Sequence, residues 1–129
     1  MKMKDFEQKQ IVGCIITNDK GEFLLQKKTL NHPLFPGLWS LFGGEAESDD
    51  FVKEIKRELI EEIGFSLPVK FCFDVNWNNQ VDHIFRAKLN DLSKISIREG
   101  AGVSFFAKKE LKNLKFIPGT KKALEVFNK

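Results

Sequence analysis

The sequence predicts a mixed α/β fold built around one central helix that carries a row of carboxylates. Three observations support this. Short β-branched apolar runs lie on both sides of residue 50, the segment 49–63 has apolar residues at helical spacing, and turn residues separate the runs. Read in order, the elements are β-β-β-α-β-β-β-α.

Ile11 to Thr17 is apolar and β-branched, a buried strand. Asn18-Asp19-Lys20-Gly21 carries turn chemistry, and Glu22 to Lys28 reads as the return strand of a hairpin. Thr29 to Leu38 contains Pro33, Pro36 and Gly37 and is a loop. Trp39 to Phe42 is expected as one short strand leading into a glycine loop at Gly43-Gly44. From Asp49 to Ile63, the residues Val52, Ile55, Leu59 and Ile63 recur every three or four positions and predict one apolar stripe. Ser48, Asp49 and Asp50 are N-cap candidates for this helix, and Gly64 is its C-terminal stop. Val69 to Val75 and Val81 to Leu89 read as strands joined by the polar turn Asn76-Trp77-Asn78-Asn79. Gly102 to Ala107 is a further strand, a short helix follows near Lys108 to Leu114, and Pro118 opens a last helix through Leu124 and Phe127.

The composition fits a soluble protein. At 129 residues, the chain is expected to form one domain over 1–129, with 42% hydrophobic and 30% charged residues. No apolar run is long enough to span a bilayer, and the charged N-terminus does not read as a secretion signal, so a cytoplasmic protein without a membrane partner is expected. Cys14 and Cys72 lie far apart in separate apolar runs and read as free thiols, and His32 and His83 are too scattered for a zinc site. A net charge of +3 with dispersed lysines argues against a nucleic-acid partner and fits a small anionic substrate.

The central helix places Glu54, Glu58, Glu61 and Glu62 within nine residues. At about 100° per residue, Glu58 and Glu62 stack one turn apart, Glu54 extends the row, and Glu61 lies beside it. These acids flank the apolar stripe. A solvated acidic face is the bland explanation, but it leaves two features unexplained. The pairs Glu54–Glu58 and Glu58–Glu62 set like charges at i,i+4, and Glu61 and Glu62 occupy the last turn, where the helix dipole favours cations. A bound divalent cation removes both objections. Oxygen ligands suit Mg²⁺, with Mn²⁺ as a substitute, and do not suit zinc. Arg57 is four residues before Glu61 and able to pair with it, which leaves Glu58 and Glu62 as the best direct ligands, with Glu61 either a ligand or a base that orients water.

Gly43, five residues, Asp49, seven residues, then Arg57-Glu58-Leu59-Ile60-Glu61-Glu62-Ile63-Gly64-Phe65 resembles the Nudix box of the MutT-like hydrolases. The fixed positions match except that Asp49 stands where the family has glutamate. Relatives often carry two glycines with the second opening the box, and against that register this loop is one residue short around Glu47-Ser48. The approach Phe35-Pro36-Gly37-Leu38-Trp39 and the C-terminal strand and helix are also similar to the family, with Phe42 in place of a common proline.

The resemblance implies an α/β/α sandwich with a mixed sheet. It implies Mg²⁺-dependent hydrolysis of the diphosphate linkage in a nucleoside diphosphate joined to another moiety, such as a nucleoside triphosphate or nucleotide sugar. The expected metal shell is Glu58, Glu62, Glu61 and the backbone carbonyl of Gly43, with Arg57, Glu58 and Glu61 as the catalytic set. Glu99 is the nearest candidate for a further acid from a later loop. Lys28, at the end of the second strand, and Trp77, in its polar turn, are candidates for substrate contact. Trp77 is weighed equally as a surface or dimer contact, so a homodimer stays open. Trp39 reads as packing, and His83 as a hydrogen-bonded structural histidine. Two other readings compete with this one. Isopentenyl diphosphate isomerase is rejected because Phe42-Gly43-Gly44 offers no cysteine, and a catalytically weak Nudix domain that senses a nucleotide-type ligand stays open because of Asp49 and the short loop.

Overall fold

Val12 to Ile16 are all buried, which is why this strand reads as a continuous apolar run and not as an alternating one. The computed structural model describes residues 8–96 and 100–129. Its elements are β1 (Lys9–Thr17), β2 (Phe23–Lys27), β3 (Trp39–Ser40), β4 (Phe42–Glu45), α1 (Phe51–Ile63), β5 (Lys70–Trp77), β6 (Gln80–Lys88), β7 (Gly102–Phe106) and α2 (Pro118–Phe127). Short 3-10 helices lie at Leu92–Lys94 and Lys108–Asn113.

β1 organises a seven-stranded mixed sheet. It runs parallel to β6 along its whole length on one side. On its other side, its first half pairs antiparallel with β4 and its last two residues with β2. β2 continues to β3 and β7, and β5 closes the other edge against β6. Val12, Cys14, Ile16, Leu24, Phe42 and Phe85 face Ile55, Leu59 and Ile63 of α1. Ile15, Phe23, Leu25, Leu41 and Ile84 face Ala123 and Leu124 of α2. Helices on both faces make the α/β/α sandwich.

Three details differ from the sequence reading. Trp39 to Phe42 is two strands and not one. At Leu41 the ladder breaks, and its amide donates to the buried Thr120 Oγ1 of α2 at 3.0 Å. Gly43 and Gly44 therefore lie inside β4 opposite Gly13 and Val12, not in a loop. In α1, Val52 is exposed along with Ile60, so the buried stripe is Ile55, Leu59 and Ile63. The turn before β6 tightens to Asn78-Asn79, both at positive φ (44° and 58°), the two-residue geometry that suits a right-twisted hairpin. No helix among the described residues is long and apolar enough to cross a membrane.

The helix boundaries follow local chemistry. Asp50 is the N-cap, its carboxylate accepting from the Lys53 amide at 3.2 Å. Gly64 ends α1 at φ 92°, a left-handed turn that costs glycine nothing. Burying Ile55, Leu59 and Ile63 contributes about 1.5–3 kcal/mol each, against a few tenths for each like-charge pair on the same helix. Apolar packing therefore forces the acids onto the sheet.

A buried carboxylate pair against the glycine strand: candidate metal centre

The apolar stripe of α1 presses its flanking acids inward. Glu54, Glu58 and Glu62 are all buried, at 3%, 8% and 2% exposure. Glu62 reaches the sheet, where its Oε1 accepts the Gly43 amide at 2.7 Å and its Oε2 accepts from Gln26 Nε2 at 2.8 Å. Glu58 lies against Gly44 so closely that a Cβ there would stand 2.6 Å from Glu58 Oε1. Gly43 is required for a separate reason: its φ is +147°, and a Cβ would meet the Val12 carbonyl oxygen at 2.0 Å.

Arg57 ties the row together. Its Nη2 lies 3.0 Å from Glu54 Oε1 and 3.4 Å from Glu58 Oε1, and its Nη1 lies 2.9 Å from Glu61 Oε1. These carboxylates hold the guanidinium charged well above its ordinary range. Glu61 is the outward member of the set, with its side chain 46% exposed. Burial pushes the Glu62 carboxyl up to about 7, although the donors Gln26 and Gly43 and the positive field of Lys28 favour its ionised form. Glu54 is shifted the other way, held below the usual carboxylate range first by the Glu47 amide and then by Arg57.

The structure thus gathers Gly43, Arg57, Glu58 and Glu62, with Glu61 at the rim. Lys28 directly follows β2 and contributes a positive field at Glu62, whereas the Lys27 amine sits 5.9 Å over the Trp39 ring. Trp77 is not brought to this site. It ends β5 instead of standing free in the turn, its Nε1 donates to Asp82 Oδ2 at 3.0 Å, and its ring packs on the α2 side of the sheet. Glu99 lies outside the described residues. His83 is hydrogen-bonded as expected, 2.7 Å from Asp74 Oδ1 and 2.6 Å from Gln10 Oε1, and stacks on Phe51 at the start of α1. Cys14 is buried, its thiol pushed up to about 12, and Cys72 is likewise a free cysteine.

The sequence reading missed Gln26. It is 2% exposed, and its Nε2 also approaches the Leu41 carbonyl at 3.3 Å. The signal was present in Phe23-Leu24-Leu25-Gln26, where an amide shares a buried strand face with Leu24 at period two. Glu54 was noted only as part of the row, and its contacts to the loop before α1 were not foreseen.

A helix of buried acids packed on a glycine strand, on one face of an α/β/α sandwich, defines a candidate metal-dependent phosphoryl site. A model of the NUDIX domain matches residues 7–127, and the chain belongs to the Nudix hydrolase family. Over 82 residues it is 43% identical to the nucleoside triphosphatase NudI of Escherichia coli O139:H28, a stretch covering 58% of this chain and 57% of that protein. A shorter stretch of 61 residues, also 43% identical, matches NudI of Salmonella agona, covering 46% of this chain and 43% of the relative. The chain thus spans about half the length of the curated relatives it matches. Among solved structures, a MutT from work on Aliivibrio salmonicida and Vibrio cholerae superposes with a TM-score of 0.75 at 21% identity, covering 92% of this chain and 95% of that one. The NUDIX domain of Shewanella oneidensis NrtR, solved with ADP ribose, gives 0.76 at 19% identity, covering 97% and 90%. These two structures share the fold.

Proposed function

We propose that this protein is a Mg²⁺-dependent pyrophosphohydrolase that cleaves the diphosphate linkage of a nucleoside diphosphate joined to another moiety, by attack of water on phosphorus. The substrate class is a nucleoside triphosphate or a nucleotide sugar, and the setting is the cytoplasm. The family match and the partial identity to a nucleoside triphosphatase support this reading.

The observation that carries it is the pair Glu58 and Glu62, buried one turn apart against the backbone of Gly43 and Gly44. Ionising Glu62 one turn from Glu58 is costly, since its donors at hydrogen-bond distance are the neutral Gln26 side chain and Gly43 amide, while Glu58 lies 3.4 Å from the Arg57 guanidinium. Two carboxylates suit Mg²⁺, which is bound through one or two carboxylates and takes its other ligands from water and substrate phosphate. Glu58, Glu62 and the Gly43 carbonyl are the groups to hold it, and Mn²⁺ fits the same donors.

When bound, the ion supplies charge neutralisation on the diphosphate and polarises its phosphoryl oxygens. The chain's own residues supply the remaining functions. Glu61, exposed and held by Arg57, is the residue to orient water and accept its proton. Arg57 fixes that carboxylate and keeps Glu58 at the edge of the pair. Lys28 is the residue to meet substrate phosphate from the β2 side.

The test is incubation of the purified protein with nucleoside triphosphates, nucleotide sugars and dinucleoside polyphosphates plus Mg²⁺, following phosphorylated products. Turnover of at least one class, lost with chelator, is the expected result. No turnover of any member together with tight binding of one would replace the enzyme by a ligand-sensing domain.

A further inference from the structure

The first half of the box is where this chain departs from its family, with Asp49 in place of glutamate and a shortened loop. In the structure Asp49 is exposed, and among the described residues its carboxylate joins none of the site's hydrogen bonds. Glu54, five residues further on, is buried instead. Its Oε1 accepts the Glu47 amide at 2.7 Å and pairs with Arg57 Nη2 at 3.0 Å, and its Oε2 accepts from Ser48 Oγ at 3.1 Å. One carboxylate therefore closes the loop onto α1 and holds the arginine that in turn holds Glu61 and lies beside Glu58.

The position makes this reach possible. Side chains on a helix lean toward its N-terminus, so Glu54, in the first turn of α1, extends back over the loop amides. An acid chosen only to complement the helix dipole would stay in solvent, where it costs nothing to keep charged. Glu54 is 3% exposed and uses both oxygens.

We infer that Glu54, and not Asp49, is the acid that positions Arg57, and through it Glu58 and Glu61, for the phosphoryl chemistry proposed above. Glu54 is a positioning residue, acting through Arg57. The inference rests on that proposed function for its consequence in turnover, but its structural half stands without it.

The test compares Glu54→Gln, Glu54→Ala and Asp49→Asn. Glu54→Gln keeps the shape and an oxygen for the Glu47 amide but loses the charge on Arg57. The expected result is a kcat lower by about 10–100-fold in both Glu54 variants, the usual loss when an orienting partner is removed, with KM changed less than about threefold. Asp49→Asn stays within about twofold of the parent, the range expected for an exposed group outside the network. Independently of activity, ¹⁵N NMR of the metal-free protein should show separate, slowly rotating Arg57 guanidinium protons in the parent and in Asp49→Asn, and averaged ones in Glu54→Gln. An Arg57 signal unchanged by Glu54→Gln overturns the inference whether or not a substrate has been found, and so does a larger loss of kcat in Asp49→Asn. If the parent turns over nothing, the proposed reaction fails and the guanidinium signal still decides the role of Glu54.

Discussion

Glu62 accepts the Gly43 amide hydrogen at 2.7 Å, so the last turn of the carboxylate helix is joined directly to the backbone of the glycine strand. Gly43 and Glu62 are 19 positions apart, and the chain between them finishes β4, crosses a loop and forms most of α1, whose ends are both set by local chemistry. This contact holds one metal-ligand candidate against another.

Replacing Glu62 by Gln removes the buried charge and keeps the shape. Turnover should fall by about 100-fold or more, since a ligand is lost and not merely misplaced. In the absence of metal the fold should be retained, with thermal stability at pH 8 unchanged or raised, because a buried carboxylate no longer has to ionise. Paired kinetics and thermal melts check both halves. Undiminished turnover would mean the site is assigned to the wrong residues.

The pH dependence has a definite sign. The Glu62 carboxyl goes from an ordinary value of 4.5 to about 7 on folding, with burial as the main cause. Between those values the folded chain holds the extra proton. Its contribution to stability is complete below the lower value and is lost as pH rises through the upper one. Metal-free parent protein should therefore lose more stability between pH 5 and 8 than Glu62→Gln does. The stabilisation by Mg²⁺ should grow over the same range as the ion displaces the proton. Melts of both proteins with Mg²⁺ and with chelator at pH 5.5, 7 and 8 measure this, and parallel curves would contradict it.

The two glycines should fail in different ways. Gly43→Ala forces a Cβ into the Val12 carbonyl at a φ that side chains rarely adopt, so it should destabilise the fold by at least about 1–3 kcal/mol. Gly44→Ala meets only the end of a flexible side chain, Glu58. It should leave the melting temperature nearly intact while cutting metal-dependent turnover by about 10-fold or more, as a displaced ligand does. Equal losses of stability in the two variants would count against the packing described.

Gln26→Leu removes the donor to Glu62 Oε2 and keeps the volume. The ionised carboxylate then loses one of its two close partners, so its titration should move to higher pH. A pH–rate profile should show its acid limb shifted upward while the rate at pH 9 changes little. A profile that only drops in height would indicate a structural role for Gln26.

Much of the fold was legible in the sequence because its strands and central helix are separated by strong punctuation. Gly64 and the Ser48-Asp49-Asp50 run marked α1 to within two residues at either end. What escaped was long-range. The break at Leu41 depends on Thr120, 79 positions away, and no local pattern announces it. Val52 matched the apolar period but is exposed in the first turn of α1.

At the site, Glu58 and Glu62 could be found because their charges work against the helix that carries them. Trp77 was misplaced for the opposite reason. Its asparagine neighbours read as a turn, but the turn proper needs only Asn78 and Asn79, which leaves the indole in the strand facing α2. The contribution of Glu54 was hidden because it uses loop amides, and a sequence shows neither their direction nor their distance.

Glu58 and Glu62 together are proposed to bind a divalent cation. Titrating the protein with Mn²⁺ while following the free-ion EPR signal tests it most directly. The parent should bind at roughly micromolar to millimolar concentrations, in competition with Mg²⁺, and the Glu58→Gln/Glu62→Gln double variant should not bind. Mn²⁺ binding of equal strength in the double variant, or no binding by the folded parent, would contradict it.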